Sequence, residues 1–142
     1  MSFINACCIS VLVLAAPACS MMPSLQGGAQ SFPSLESGKG RVIIYRTSTI
    51  GSESAPEVLL NGDKLGKLDR DSVIFRDVSP GSYAVTTTMT AKVVHFSLRA
   101  GEKKYVKLNR DLFASHTYPE LIESANGEPE ASRLRVMGQG RK

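Results

Sequence analysis

Apolar positions between residues 40 and 125 recur at every second residue or in short unbroken runs, which is the spacing of strands rather than helices. Arg41-Val42-Ile43-Ile44-Tyr45-Arg46 is a β-branched and aromatic run with charged ends. Glu57-Val58-Leu59-Leu60 and Lys64-Leu65-Gly66-Lys67-Leu68 flank Asn61-Gly62-Asp63. Asn-Gly between apolar runs predicts a tight hairpin, because both residues tolerate positive φ. A strand over 72–78 follows, and Ser79-Pro80-Gly81 predicts a type II turn with positive φ at Gly81. Strands are predicted over 83–89, with Tyr83, Val85, Thr87 and Met89 on one face. Over 93–98, Val94, Phe96 and Leu98 point inward and Val93, His95 and Ser97 outward. Ala100-Gly101-Glu102 turns the chain into a strand over 104–108, and a shorter one is predicted over 118–123.

Asn126-Gly127 reads as the turn closing the last strand. Residues 128–136 predict a short helix, with Pro129 at its first position and Glu130 and Arg135 matching opposite dipole ends. From Gly138 onward the pattern predicts a frayed tail, residues 138–142. Seven or eight short strands at roughly ten-residue spacing predict an all-β fold, a single antiparallel β-sandwich.

Ahead of this domain the pattern differs. Residues 6–16 form an apolar stretch of signal-peptide length, with small residues after it. The run Leu14-Ala15-Ala16-Pro17-Ala18-Cys19 resembles the lipobox of bacterial lipoproteins. That resemblance implies removal of residues 1–18 and lipidation of Cys19. Residues 3–18 are short for a membrane-spanning helix, which needs about 20 apolar residues. From Cys19 to Lys39 the chain is rich in Gly, Ser and Pro with no helix or strand period, so a flexible tether of about 25 Å root-mean-square span is expected. The expected organisation is thus a signal peptide (1–18), a lipidated linker (19–39), a sandwich (40–137) and a tail.

Cysteine usage agrees with export. Of three cysteines, Cys7 and Cys8 fall in the signal, and lipidation consumes the thiol of Cys19. The mature chain then has no disulfide and no thiolate metal cluster. Ser20, rather than Asp, follows Cys19. By resemblance to enteric lipoproteins this implies an outer-membrane anchor facing the periplasm.

The segments 58–66 and 77–85, with Leu65-Gly66 and Pro80-Gly81-Ser82-Tyr83, resemble the PEGA-type β-sandwich module. The whole domain is similar to small bacterial lipoproteins of unknown function. They share the Tyr45-Arg46 strand end, the Pro80-Gly81 turn and Ala100-Gly101-Glu102-Lys103-Lys104-Tyr105. The resemblance implies a transthyretin-like or immunoglobulin-like sandwich without enzymatic activity, and it carries over no catalytic residue.

The formal net charge is +4, and residues 1–18 contribute none of it. Arg99, Lys103, Lys104, Lys107 and Arg110 cluster around one turn and strand, and are candidate contacts to an anionic partner such as lipopolysaccharide or cell-wall polymer. Ordinary surface lysine and edge protection against aggregation are the favoured reading of them. Nucleic acid is not an expected partner, because no aromatic platform is interleaved with the basic residues. The two histidines, His95 and His116, stand far apart without nearby carboxylate clusters, so neither a metal nor any other cofactor is expected. Asp111, Ser115 and His116 lack a nucleophile elbow, leaving a cryptic hydrolase as the remote alternative. The expected role is a lipid-anchored envelope module that contacts a protein or glycan. A structural subunit of an envelope complex is its alternative.

Overall fold

The computed structural model describes residues 31–47, 54–111, 113 and 116–140. The proposed signal peptide, Cys19 and Ser115 lie outside the described residues. The elements run β1 (Gly40–Arg46), β2 (Glu57–Leu60), β3 (Asp63–Lys67), β4 (Ser72–Val78), β5 (Gly81–Thr87), β6 (Val94–Leu98), β7 (Lys103–Arg110), β8 (Thr117–Ile122), α1 (Ser124–Ala131) and β9 (Arg135–Gln139). They form a five-stranded sheet, ordered β8-β7-β1-β4-β9, and a four-stranded sheet, ordered β3-β2-β5-β6. The all-β sandwich expected from the sequence is therefore the fold. Most pairings are antiparallel, but β1 runs parallel to β7 and β4 runs parallel to β9.

β1 is buried along its whole length, which explains its unbroken apolar run. Strands covered on both faces lose the alternation of half-exposed ones. Val42 and Ile44 face the second sheet and join Ile74, Val106 and Leu108 against Val58, Leu60, Leu65, Val85, Phe96 and Leu98. Ile43 and Tyr45 point the other way, with Val73, Phe75 and Tyr105, beneath Ala131 and Leu134. The five-stranded sheet thus has two apolar faces, one closed by the second sheet and one by Phe32, α1 and Leu134.

The β2–β3 hairpin forms as its turn residues predict. Asn61 and Gly62 adopt φ of 52° and 87°, between Leu60 and Asp63, which pair across the turn. Outward His95 and inward Phe96 and Leu98 also agree with the alternation.

Four local expectations are corrected. Gly81 does not adopt positive φ; it is the first residue of β5 and pairs with Leu98, so extended pairing governs it instead of a type II turn. The helix begins at Ser124 rather than Glu128, and places Pro129 inside it. Asn126-Gly127 is consequently helical. Gly127 lies directly on Tyr105, where a Cβ would stand 2.5 Å from the tyrosine Cβ, and that approach fixes where the helix sits. Finally, Gly138 and Gln139 of the expected tail belong to β9, which pairs with β4 through Gln139, and Gly140 N–H continues the attachment to the Phe75 carbonyl; residues 141–142 lie outside the described residues.

Candidate functional site

Two polar constellations stand at opposite ends of β1. At its start, Arg41 is almost completely buried, although it is a charged residue on an apolar face. Its guanidinium packs over the Phe75 ring, 4.6 Å from the centroid. Nε and Nη2 donate to the two carboxylate oxygens of Asp77. Nη1 and Nη2 also reach the carbonyls of Pro33, at 2.6 Å, and Ser34, at 3.2 Å. Asp77 in turn accepts from the Glu36 backbone N–H. Phe32 meets Phe75 edge-on, with ring centroids 5.5 Å apart. Residues 32–36, placed within the flexible stretch by composition, are therefore latched onto the sheet. A forked guanidinium matches a carboxylate bidentately and still has donors for carbonyls. Hydrogen bonding from Arg41 holds the Asp77 carboxyl below the usual carboxylate range.

Helix α1 is held on the same face by ion pairs. Glu130 accepts from the Tyr45 hydroxyl and the Lys107 ammonium, each at 2.9 Å. Lys107 is the main cause of the depressed Glu130 pKa. Burial is the main cause that pushes the Tyr105 phenol up to about 12, with the charge of Glu128 adding to it.

The five basic residues singled out by sequence divide accordingly. Lys103 and Lys107 share the helix side of β7 and pair with Glu128 and Glu130. Lys104 pairs with Glu102 at 2.8 Å. Arg99 is exposed in the turn before β7, and its backbone N–H donates to Glu102. Arg110 ends β7, at the far end of the strand from Lys103. The cluster is thus split between two faces and both ends of one strand, with its lysines paired inside the fold. His95 lies exposed on β6, whereas His116 precedes β8 in the other sheet. Among the described residues, no group of three or more His, Cys, Asp or Glu could hold a metal ion.

The second constellation escaped sequence reasoning. At the end of β1, Arg46 pairs in register with Ser72 of β4, and Ser72 pairs with Arg135 of β9. Directly opposed residues share a sheet face, so this row sits on the sandwich side, at its open end. Arg46 is only 3% exposed. Its Nη1 donates to the carbonyls of Ser54, at 2.9 Å, and Leu68, at 3.3 Å. Its Nη2 is buried with no hydrogen-bond partner among the described residues. Arg46, Ala55, Asp69, Arg70 and Arg135 line a cavity of about 310 Å³. Arg135 pairs there with Asp69 at 3.3 Å, both partners being at least half exposed. Burial, and then the charges of Arg70 and Arg110, lower the Arg46 pKa from its ordinary value. A strand-end arginine gives no sequence signal for this. The register across β1, β4 and β9 brings residues 46 and 135 together, beside the turn that carries Arg70.

The class of protein defined by this geometry is a two-sheet β-sandwich in which residues 32–36 and α1 cover one face and arginines line one mouth. Residues 36–117 match the family described as "Protein of unknown function (DUF2846)", and the chain belongs to that family. The matched segment includes Arg41, Arg46, Arg70 and Asp77, but not α1, β9 or Arg135. A comparison with curated proteins finds no match.

Proposed function

We propose that the chain is a lipid-anchored binding module of the bacterial cell envelope that performs no catalytic step. One observation carries this reading. The chain enters the fold at the Arg41–Asp77 latch, while the arginine-lined mouth opens at the other end of β1. A seven-residue strand separates the two by about 20 Å. A chain tethered through Cys19 therefore has its attachment at one end of the sheet and its cationic opening at the other. The lipobox-like run before Cys19 and the PEGA-like turn residues support an exported accessory role. Ser20 after Cys19 supports the outer membrane, facing the periplasm. The ion pairs of Lys103, Lys104 and Lys107 move the contact with an anionic envelope partner away from β7 and toward the mouth.

The test is fractionation combined with labelling by a fatty-acid analogue. Wild type should take up label and sediment with membranes, whereas Cys19→Ser should lose the label and become soluble. An unlabelled wild type would refute the anchor. Turnover of ester or glycan substrates that depends on His116 would refute the non-catalytic reading.

A further inference from the structure

We propose that the mouth formed by Arg46, Arg70 and Arg135 is a binding site for a phosphate group. This deepens the reading of the mouth as the binding end and rests on it, but it does not depend on the lipid anchor.

The first argument is the unused donor. Nη2 of Arg46 has lost its water to burial and gained no acceptor among the described residues, although its neighbour Nη1 has two. A buried donor without an acceptor carries its full desolvation cost. The Arg46 side chain lines the cavity, so an oxyanion drawn into it would bring an acceptor to that guanidinium. The second argument is charge. Arg46, Arg70 and Arg135 face one acid, Asp69, among the described residues that line the cavity, so that lining carries a net charge of two positive units. A phosphate monoester carries a charge of about −1.5 to −2 at neutral pH and balances them; a carboxylate leaves one over. The third is shape. Guanidinium forks that line one cavity suit the several acceptor oxygens of a phosphate. Arg70 and Arg135 are exposed and can turn toward a ligand, whereas Arg46 is fixed by its two carbonyls. The cavity is larger than one phosphate, so it can hold part of the group that the phosphate esterifies.

Calorimetric titration of the full chain in detergent, at constant ionic strength, tests this with three probes: inorganic phosphate, glucose 1-phosphate and acetate. Saturable one-to-one binding of phosphate is expected, at least tenfold tighter than acetate. Arg70→Gln and Arg135→Gln remove exposed side chains and should leave the fold intact, but each should weaken phosphate about tenfold, the scale of one charged hydrogen bond. Lys104→Gln should change nothing. Tighter binding of glucose 1-phosphate than of phosphate would support a phosphorylated saccharide as the source. Equal affinities would support free phosphate. Absence of saturable phosphate binding overturns the proposal. So does equal binding of acetate, or equal loss in Lys104→Gln, which would mean diffuse attraction. None of these results bears on the Cys19 anchor, which fractionation tests separately.

Discussion

The two faces of the five-stranded sheet are both buried, yet they are closed by different physics. The sandwich face meets the second sheet through aliphatic and phenyl side chains. Its closure is non-directional and follows from the apolar area withdrawn from water. The other face is covered by residues 32–36 and α1, pieces too short to bring much area. They are held by directed contacts: Arg41 to Asp77 and the Pro33 and Ser34 carbonyls, and Tyr45 and Lys107 to Glu130. A face assembled from two short segments needs such fixed points, because neither piece could bury enough surface to hold its place alone. The first face should therefore respond mainly to lost volume, and the second to lost partners and to acid.

The largest effect expected from this contrast is at Asp77. Asp77→Ala leaves Arg41 buried without its counter-ion, and breaking a buried pair in this way costs about 3–5 kcal/mol. Chemical denaturation should show that loss, and limited proteolysis should cut first at residues 31–36. Replacing Arg41 and Asp77 together by Met and Leu should recover much of the stability, since the orphaned charge is gone. If the single variant keeps wild-type stability, the latch does not hold the segment. Acid probes the same contact. The folded pKa of Asp77 is depressed, so its contribution is fully present above the unfolded value of about 3.9. It is lost as pH falls from there through the folded value. Wild type should weaken steeply below about pH 4, and the double variant less so.

A smaller effect is expected at Gly127. A Cβ there would lie 2.5 and 2.6 Å from Cβ and Cγ of Tyr105. Those atoms are near the backbone of β7, so the helix must lift. Overpacking of this kind costs about 1–3 kcal/mol, despite the better helix propensity of alanine. Measured melting of Gly127→Ala should fall accordingly. An unchanged or raised melting temperature would mean that α1 does not rest on Tyr105.

The contrast also explains what the sequence made readable. The sandwich face is written in local patterns: the unbroken run of β1, the alternation of Val94, Phe96 and Leu98, and Asn61-Gly62 at the hairpin. The second face is not. β9 alternates only weakly between half-buried and exposed residues, and a parallel pairing with β4 leaves no turn signal. Helix α1 has no side-chain cap and carries Pro129 inside it, so propensity argues against its observed start; its position comes from Gly127 against Tyr105. Arg41 and Asp77 stand on separate strands, and each alone resembles a surface residue. The mouth is hidden for the same reason, since Arg46, Ser72 and Arg135 meet only through register across three strands.

The smallest effect should be at Gly81, where the turn chemistry read from Pro80-Gly81 and the observed backbone disagree. Were a positive φ required, alanine would be strained and destabilising. Instead the residue is extended at the start of β5, and an added Cβ would meet only the Tyr83 ring edge at 3.9 Å, an ordinary contact. Alanine also reduces the freedom of the unfolded chain, worth about 0.4–1 kcal/mol where the native backbone is compatible. Gly81→Ala should therefore melt at or slightly above the wild-type temperature, even though the glycine sits in the motif that most resembles a family turn. A loss above about 1 kcal/mol, outside the usual range for surface substitutions, would restore the left-handed turn and remove Gly81 from β5. Asn61-Gly62, where positive φ is observed, supplies the control. Gly62→Ala should be the more damaging of the two, although a Cβ there meets nothing within 4 Å. The difference would come from backbone conformation alone.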